Sequence, residues 1–368
     1  MKPYIHQRPD WPTFSWDESV VLQRLTEVRY KQGRLLGKME GLGFQLREEA
    51  SLGVLTLDVT KTSEIEGEIL SADQVRSSIA RKLGMDMPGL VPSGRNVEGI
   101  VDVMLDATRE CQISLTADRL FNWHSALFPT GRSSLYPITV GTWRTDTNGS
   151  MQVISGAMGK ERVHFEAPAA EKLSSEMELF LTWFNKENEL DAVLKSAIAH
   201  VWFVTIHPFD DGNGRIARAI ADMQMARADK TAQRFYSMSA QIQKERAEYY
   251  SILERTQQGT LDITKWLLWF LNTLDHALNE SERVLTSVME KARFWEKFNS
   301  TFLNDRQRTM LNKLLDGFEG KLTTSKWATI TKCSPDTALR DITYLLEIKA
   351  LKKEEGGGRS TSYSMVIE

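Results

Sequence analysis

Twelve contiguous residues, His207-Pro-Phe-Asp-Asp-Gly-Asn-Gly-Arg-Ile-Ala-Arg218, carry the residue types and spacing of a phosphate-handling turn. Pro208 stops an incoming apolar helix, and Gly212 and Gly214 permit backbone conformations and close ligand approach denied to other residues. A new helix is expected over Ile216 to Ala228, so free backbone N–H groups and the positive end of its dipole converge on one spot. Arg215 and Arg218, three apart, share a helical face, and their guanidinium forks suit phosphate oxygens. Asp211 supplies a hard oxygen of the kind that holds Mg²⁺ on a polyphosphate. His207, with an ordinary pKa of about 6.5, is a candidate general base. Each residue alone has a plain structural reading: a helix-end histidine, a turn, two solvated arginines. Together and in order they point to chemistry.

This string resembles the signature of the Fic family, H-P-F-x-[D/E]-G-N-G-R-x-x-R, at every defined position, and a looser resemblance spans Asn96 to Leu271. The resemblance implies a helical fold and transfer of AMP from ATP to a Ser, Thr or Tyr hydroxyl of a protein, with release of pyrophosphate. Carried over by position, His207 would deprotonate the hydroxyl, and Asp211 would hold Mg²⁺ between the α- and β-phosphates. Asn213 and the amides around Gly212 and Gly214 would cradle the phosphates. Arg215 would take the β-phosphate and Arg218 the γ-phosphate. Tyr250 and Gln257 fall near the adenine side in relatives; a place on a helix surface is the alternative for both. The segment Met151 to Phe165 is similar to the family's flap, where Gln152, Val153, Ile154, Val163 and His164 would pair with an extended target segment; strand addition is a general recognition mode. Thr62-Ser-Glu-Ile-Glu66-Gly67 resembles the inhibitory motif [S/T]-x-x-x-E-[G/N] of the type whose inhibitory helix precedes the catalytic core. By that likeness Glu66 would occupy the fork of Arg218, displacing the γ-phosphate from its partner.

The elements that must position these groups read mostly as helix. The stretch Asp17 to Glu49 has Val21, Leu25, Val28, Leu35 and Met39 at mostly helical spacing. Gly33 and Gly37 there either admit a close neighbour or are tolerated glycines. Ser71 to Gln74 is a capping-box pattern ahead of Val75, Ile79 and Leu83, and the run from Gly89 to Gly94 is a loop. Helices are expected over Asn96 to Arg109, Thr116 to Leu127, Ala170 to Asn185 and Asp191 to Ile206. Residues 151–165 read as a hairpin around Gly156 and Gly159, ended by Pro168.

After about residue 300 the pattern changes. Asp305 to Phe318 and Ser325 to Thr331 read as helices, and Ser334-Pro335-Asp336 is a helix start with Leu339, Ile342, Leu345 and Leu346 on the apolar face. Two strand-like runs then flank a Gly-rich turn. The fold class is therefore mainly α: a Fic-type helical bundle with a small β-hairpin flap, plus a C-terminal winged-helix-like domain. The expected divisions are a helical region over 1–90 containing the motif at 62–67, a catalytic core over 91–285, and the winged-helix-like domain over 300–368.

Composition narrows the classes further. The chain of 368 residues is 41% hydrophobic with a net charge of −3, so it can bury real cores and carries no global field for nucleic acid. Cys111 and Cys333, the two cysteines, make neither a disulfide framework nor a zinc site, and a cytoplasmic setting is expected. The N-terminal run lacks the apolar stretch of a signal peptide; its aromatics Tyr4, Trp11, Phe14 and Trp16 read as a packing cluster. Trp266 to Leu271 is too short to cross a bilayer. His6, His124, His164, His200 and His276 form no metal-ligand spacing. In the tail, Lys332, Arg340, Lys349, Lys352, Lys353 and Arg359 are offset by Asp336, Asp341, Glu347, Glu354 and Glu355, so DNA binding and protein docking both stay open.

The leading expectation is an autoinhibited protein adenylyltransferase acting on protein hydroxyls, its own included. The alternatives are removal of AMP from a modified protein, with Glu66 orienting a water, and a DNA-binding regulator with a nucleotide-sensing core. A metal-dependent hydrolase leaves both arginines unexplained and has too few ligands. Homodimers occur among relatives, and this leaves oligomeric state open.

Overall fold

Side-chain caps set where many helices of the chain begin. Asp17 accepts the amides of Ser19 and Val20 at the start of α1 (Glu18–Glu40), and Ser71 accepts that of Gln74 at α3 (Ala72–Lys82). Thr116 and Asp191 do the same for α5 (Ala117–Leu127) and α7 (Ala192–Ile206). The computed structural model describes residues 3–85, 89–147, 149–156, 160, 162–187, 189–315, 318, 320–354 and 361–366. They divide into two compact units, 1–281 and 282–368.

In the first unit, α1 is followed by α2 (Phe44–Ile65), α3, α4 (Arg95–Arg109) and α5. The single helix expected over Asp17 to Glu49 is instead two. The helix stops at Glu40, and Gly41-Leu42-Gly43 turns the chain before α2 begins with Gly43 as its cap. Two glycines within three residues cost more helix stability than the flanking periodicity restores. Gly33 and Gly37 face open space, so they are tolerated glycines and not a packing seam. After α5 come two short antiparallel pairs: β1 (Arg132–Ser133) with β2 (Tyr136–Pro137), and β3 (Gln152–Ser155) with β4 (Arg162–Glu166). The first pair has no sequence signal of its own. The second is the expected hairpin, bulged between Val153 and Ile154; Gly159 lies outside the described residues. Then follow α6 (Leu173–Asn185), α7, α8 (Asn213–Asp229), α9 (Met238–Lys244), α10 (Arg246–Gln257) and the first part, up to residue 281, of α11 (Thr264–Lys297).

α7 is apolar nearly all round and is buried on every side, as such a helix must be. It packs along α8, which α2, α4 and α5 also flank. α8 starts at Asn213, three residues earlier than expected, because Gly212 stands in the left-handed region (φ +79°) and serves as its cap. A buried polar network ties α1 and α2 to the far end of α8. Asp222 and Asp229 pair with Arg234, Gln32 and Tyr236 bond Asp229, and Asp58 of α2 bonds Ser237. Burial, reinforced by Asp222, pushes the Asp58 carboxyl up to about 8. The expected N-terminal aromatic cluster is divided in two: Trp11 and Phe14 lie edge-on to each other and to Trp202, while Tyr4 packs edge-on to Phe165 of β4.

The second unit contains α12 (Asp305–Leu315), α13 (Thr324–Thr331), α14 (Pro335–Glu347) and the antiparallel pair β5 (Leu351–Lys353) and β6 (Tyr363–Met365). Its core gathers Met310, Leu311, Trp327, Ile342, Leu345 and Tyr363. Phe318, expected to end α12, lies outside that helix. Leu339 is also corrected. It is 49% exposed, and Ala338 takes the inward position, because helical geometry sets 338, 342 and 345 on one stripe. Glu355 and Arg359 lie outside the described residues. No helix among those described is long and apolar enough to cross a membrane.

Candidate active site

The twelve-residue string forms the turn between α7 and α8. His207 caps α7 in the left-handed region at φ +52°, with its amide still bonded to Phe203. A non-glycine residue held there costs about 1–3 kcal/mol, so surrounding contacts must fix it. Arg144 does much of this. Its backbone N–H donates to the Pro208 carbonyl at 2.9 Å, and its Nε donates to the His207 carbonyl at 2.8 Å. Asn213, buried, clasps the turn from within: its side-chain oxygen accepts the Phe209 amide and its Nδ2 donates to the Phe209 carbonyl. Its side chain therefore shapes the loop. The Asp210 carboxylate accepts the Thr139 amide. His124 stacks on Phe209 at 4.2 Å, accepts the Gly141 amide on Nδ1, and so donates from Nε2 to the Asp211 carbonyl.

The His207 imidazole is partly buried, and its Nδ1 lies 3.2 Å from the Val204 carbonyl. A carbonyl only accepts, so Nδ1 carries the hydrogen and Nε2 keeps a free lone pair. Burial pushes this histidine down to about 4, with Arg144 acting in the same direction while Val204, Asp211 and Glu66 oppose. The ring is thus neutral at physiological pH, with Nε2 free to accept a proton.

Asp211 spreads its carboxylate between the Gly212 amide, at 2.6 Å to Oδ1, and the Ser133 hydroxyl on Oδ2. Lone pairs remain on both oxygens. Among the described residues no three His, Cys, Asp or Glu converge on a metal position. One partly exposed carboxylate at an anion-binding turn does fit Mg²⁺, which takes one or two carboxylates and otherwise keeps phosphate and water oxygens.

The two arginines are met by carboxylates from the end of α2. The helix closes in a Schellman arrangement: Glu68 N bonds Ser63 O, Gly67 N bonds Glu64 O, and Gly67 takes φ +86°. That explains the glycine of the Thr62–Gly67 string. Glu66 then reaches Arg218, Oε1 to Nη2 at 2.7 Å, while Thr62 offers its hydroxyl to Nε at 2.7 Å and its carbonyl to Nη2 at 3.0 Å. A Cβ on Gly214 would collide with Glu66 Oε1, so a larger residue there would push this carboxylate from its place on Arg218. Glu68, which sequence reasoning missed, pairs with Arg215 at 3.1 Å, and the Arg215 guanidinium lies over Phe128. Arg215 Nε and Arg218 Nη1 are buried and find no partner among the described residues. Such donors fit an anionic ligand.

Tyr250 is partly exposed, and its hydroxyl lies 3.3 Å from the Ile65 carbonyl and 3.4 Å from Glu66 Oε2. Gln257 is buried against Thr205 and is therefore not a surface residue. His200 is a buried packing residue bonded to the Tyr249 hydroxyl.

On the hairpin, Ile154 and Val163 form a cross-strand pair and are 54% and 42% exposed, an apolar face open to a partner. Gln152 bonds Glu166, and Val153 pairs with the buried Phe165. Its β4 side is anchored to α10: Glu254 accepts from Arg162 at 2.6 Å and from His164 Nδ1 at 2.9 Å, and Gln258 donates to the His164 carbonyl.

Comparison with known proteins accords with this geometry. Residues 114–225 match the Fic/DOC family, and residues 4–85 match a domain of unknown function, DUF4172. A protein adenylyltransferase, fic-1 of Caenorhabditis elegans, is 28% identical over 212 residues, covering 56% of this chain and 37% of the relative. The protein adenylyltransferase Fic of Drosophila grimshawi is 33% identical over 96 residues, 26% of this chain and 19% of the relative. The chain thus spans well under half the length of these relatives. Among solved structures, a Fic family protein from Desulfovibrio desulfuricans superposes with a TM-score of 0.50 at 18% identity, covering 93% of this chain and 96% of that one. A Fic domain containing signaling protein from Bacteroides thetaiotaomicron gives 0.53 at 19%, over 73% and 97%. The helical core carries the Fic fold, and within it residues 114–225 are the part that matches the Fic/DOC family.

Proposed function

We propose that the chain is a protein adenylyltransferase held in check by Glu66. His207 Nε2 takes the proton of a Ser, Thr or Tyr hydroxyl, and the hydroxyl oxygen attacks the α-phosphorus of ATP. The bond from that phosphorus to the bridging oxygen breaks, and pyrophosphate leaves. The amides at the start of α8 and the forks of Arg215 and Arg218 stabilise the charge that builds on the phosphates. Mg²⁺ on Asp211 supplies further charge neutralisation when bound. The flap holds an extended segment of the target, and the adenine lies toward Tyr250 and Gln257. The C-terminal unit, winged-helix-like in its three helices and hairpin, serves in docking.

The reading is carried by one observation. A neutral imidazole with a free Nε2 stands at the end of α7, on the turn that leads into α8, whose two buried arginines keep unpartnered donors. The check follows from charge, because a carboxylate in the Arg218 fork excludes and repels the γ-phosphate. The experiment is incubation with ATP labelled at the α-phosphate, alone and with lysate proteins, for wild type, Glu66→Gly and Glu66→Gly/His207→Ala. Label is expected to rise in the first variant and vanish in the second. Label that survives removal of His207 refutes the assignment.

A further inference from the structure

Beyond the signature turn, one buried side chain joins the base to the flap. Arg144 is 3% exposed, a rare placement for arginine, and each arm of its fork has a distinct partner. Nε donates to the His207 carbonyl at 2.8 Å. Nη2 donates at 2.5 Å to the carbonyl of Pro168, two residues beyond the end of β4. Nη1 pairs at 2.7 Å with Asp146, ahead of β3, and the other oxygen of Asp146 accepts the Ala170 amide at 2.6 Å. The segments that lead into and out of the flap hairpin and the backbone of the base are therefore bound to one guanidinium. A planar fork holds three such partners in fixed relation, which a flexible ammonium cannot do.

We propose that Arg144 is a positioning residue that sets the His207 imidazole in register with the flap, so that a hydroxyl held on the flap meets Nε2. The contact to His207 is with its carbonyl and acts on the backbone that is held in the left-handed region. The arginines that would bind ATP lie on α8, and Arg144 has no bond to either. Its loss therefore separates two quantities that a general collapse of the site would change together. Transfer slows because the base and hydroxyl are misaligned, while affinity for ATP stays. Burial and the Arg144 charge both hold His207 deprotonated, which supports the same arrangement without being needed for it.

The proposal rests on the adenylyltransferase reading, and the test keeps the two apart. Arg144→Met and Arg144→Lys are made in the Glu66→Gly background, and label transfer from ATP is measured against ATP concentration. The Met variant is expected to lose about 100-fold in kcat, the effect of roughly 1 Å of misplacement, with KM for ATP within about 3-fold of the parent. Lys, which keeps the charge but gathers its donors on a single nitrogen, restores part of that loss. Unchanged kcat, or an ATP KM that rises in step with the fall in kcat, overturns the proposal. Should the Met variant fail to fold, the Lys variant decides by the same split. If the Glu66→Gly parent transfers no label, the functional reading fails instead, and ¹⁵N spectra of the His207 ring decide the role of Arg144. Wild type should show one tautomer protonated at Nδ1, and the Lys or Met variant an averaged pair. Identical ring spectra would dispose of the positioning role.

Discussion

Replacing Glu66 with glycine removes one charged partner of Arg218 and leaves the rest of its shell intact. In the free protein Nη2 would keep only the Thr62 carbonyl, and Nε the Thr62 hydroxyl. Arg218 itself is 2% exposed, but the Glu66 side chain is about a third exposed, at 31%. The bond is therefore weaker than a fully buried ion pair, whose breaking costs 3–5 kcal/mol, and closer to an ordinary charged hydrogen bond of about 2 kcal/mol. At 1.4 kcal/mol per decade, the variant should bind ATP about 30-fold more tightly, because the γ-phosphate no longer competes with a carboxylate. The free variant should also melt lower than wild type, since a buried guanidinium has lost its counter-charge, and saturating ATP should more than restore it. Calorimetric titration with Mg²⁺ and a non-hydrolysable ATP analogue measures the first effect, and thermal unfolding with and without the analogue measures the second. Glu66→Gln, which keeps the shape and removes the charge, should fall between. Equal nucleotide affinity in wild type and Glu66→Gly would refute the competition argument, whatever happens to labelling.

The second carboxylate predicts a smaller and different effect. Glu68 is more exposed than Glu66 and its bond to Arg215 is longer, so Glu68→Gln should tighten ATP binding only about 2- to 5-fold, and 0.5 M salt should erase the difference. Glu254→Gln weakens the ties of Glu254 to Arg162 and His164 of β4; the expected result is a raised KM for a protein target with ATP affinity unchanged, measured by label transfer at varied target. Acid should weaken the fold through its buried histidines. Burial lowers His124 and His207 to about 4 and His200 to about 3, so between those values and 6.5 each binds more protons unfolded than folded and costs the folded state up to ~1.4 kcal/mol per pH unit as pH drops. Asp58, pushed by burial up to about 8, and Asp222 and Asp229, also raised by burial, act in the opposite direction. Thermal unfolding of wild type and His124→Phe from pH 4.5 to 7.5 isolates one histidine: the variant should lose less stability on acidification, and parallel profiles would contradict the argument. The same lowering of His207 places the acid limb of transfer near pH 4, because the base must be unprotonated.

Much of the local structure was legible because it is decided by near neighbours in the chain. The caps at Ser71 and Ser334, and the helix starts at Asp17, Thr116 and Asp191 that prove to be caps as well, act over two or three residues. The break between α1 and α2 was missed because period alone, without the glycine pair, was followed through residues 41–43. Leu339 was assigned inward since its spacing to Ile342 also fits a helical stripe, and only the packing of α14 on its own unit chose Ala338. The β1–β2 pair, two residues on each side, has too little pattern to announce itself.

By itself the sequence determined the chemistry on offer: a base, a hard carboxylate, two guanidiniums and a flexible turn, all within twelve residues, where covalent proximity guarantees that they stay together. Tertiary structure decided which groups from elsewhere address that turn. Glu66 and Arg218 are 152 positions apart, Glu68 and Arg215 147, Arg144 and His207 63. Glu68 and Arg144 belong to no pattern, since an acid near a helix end and an arginine in a loop are ordinary surface residues in any sequence. What makes one a partner of Arg215 and the other a buried three-way tie is the packing of α2 and of the 131–144 segment around α7 and α8. Contacts between distant positions follow from how whole elements fill space together, and spacing along the chain does not encode them.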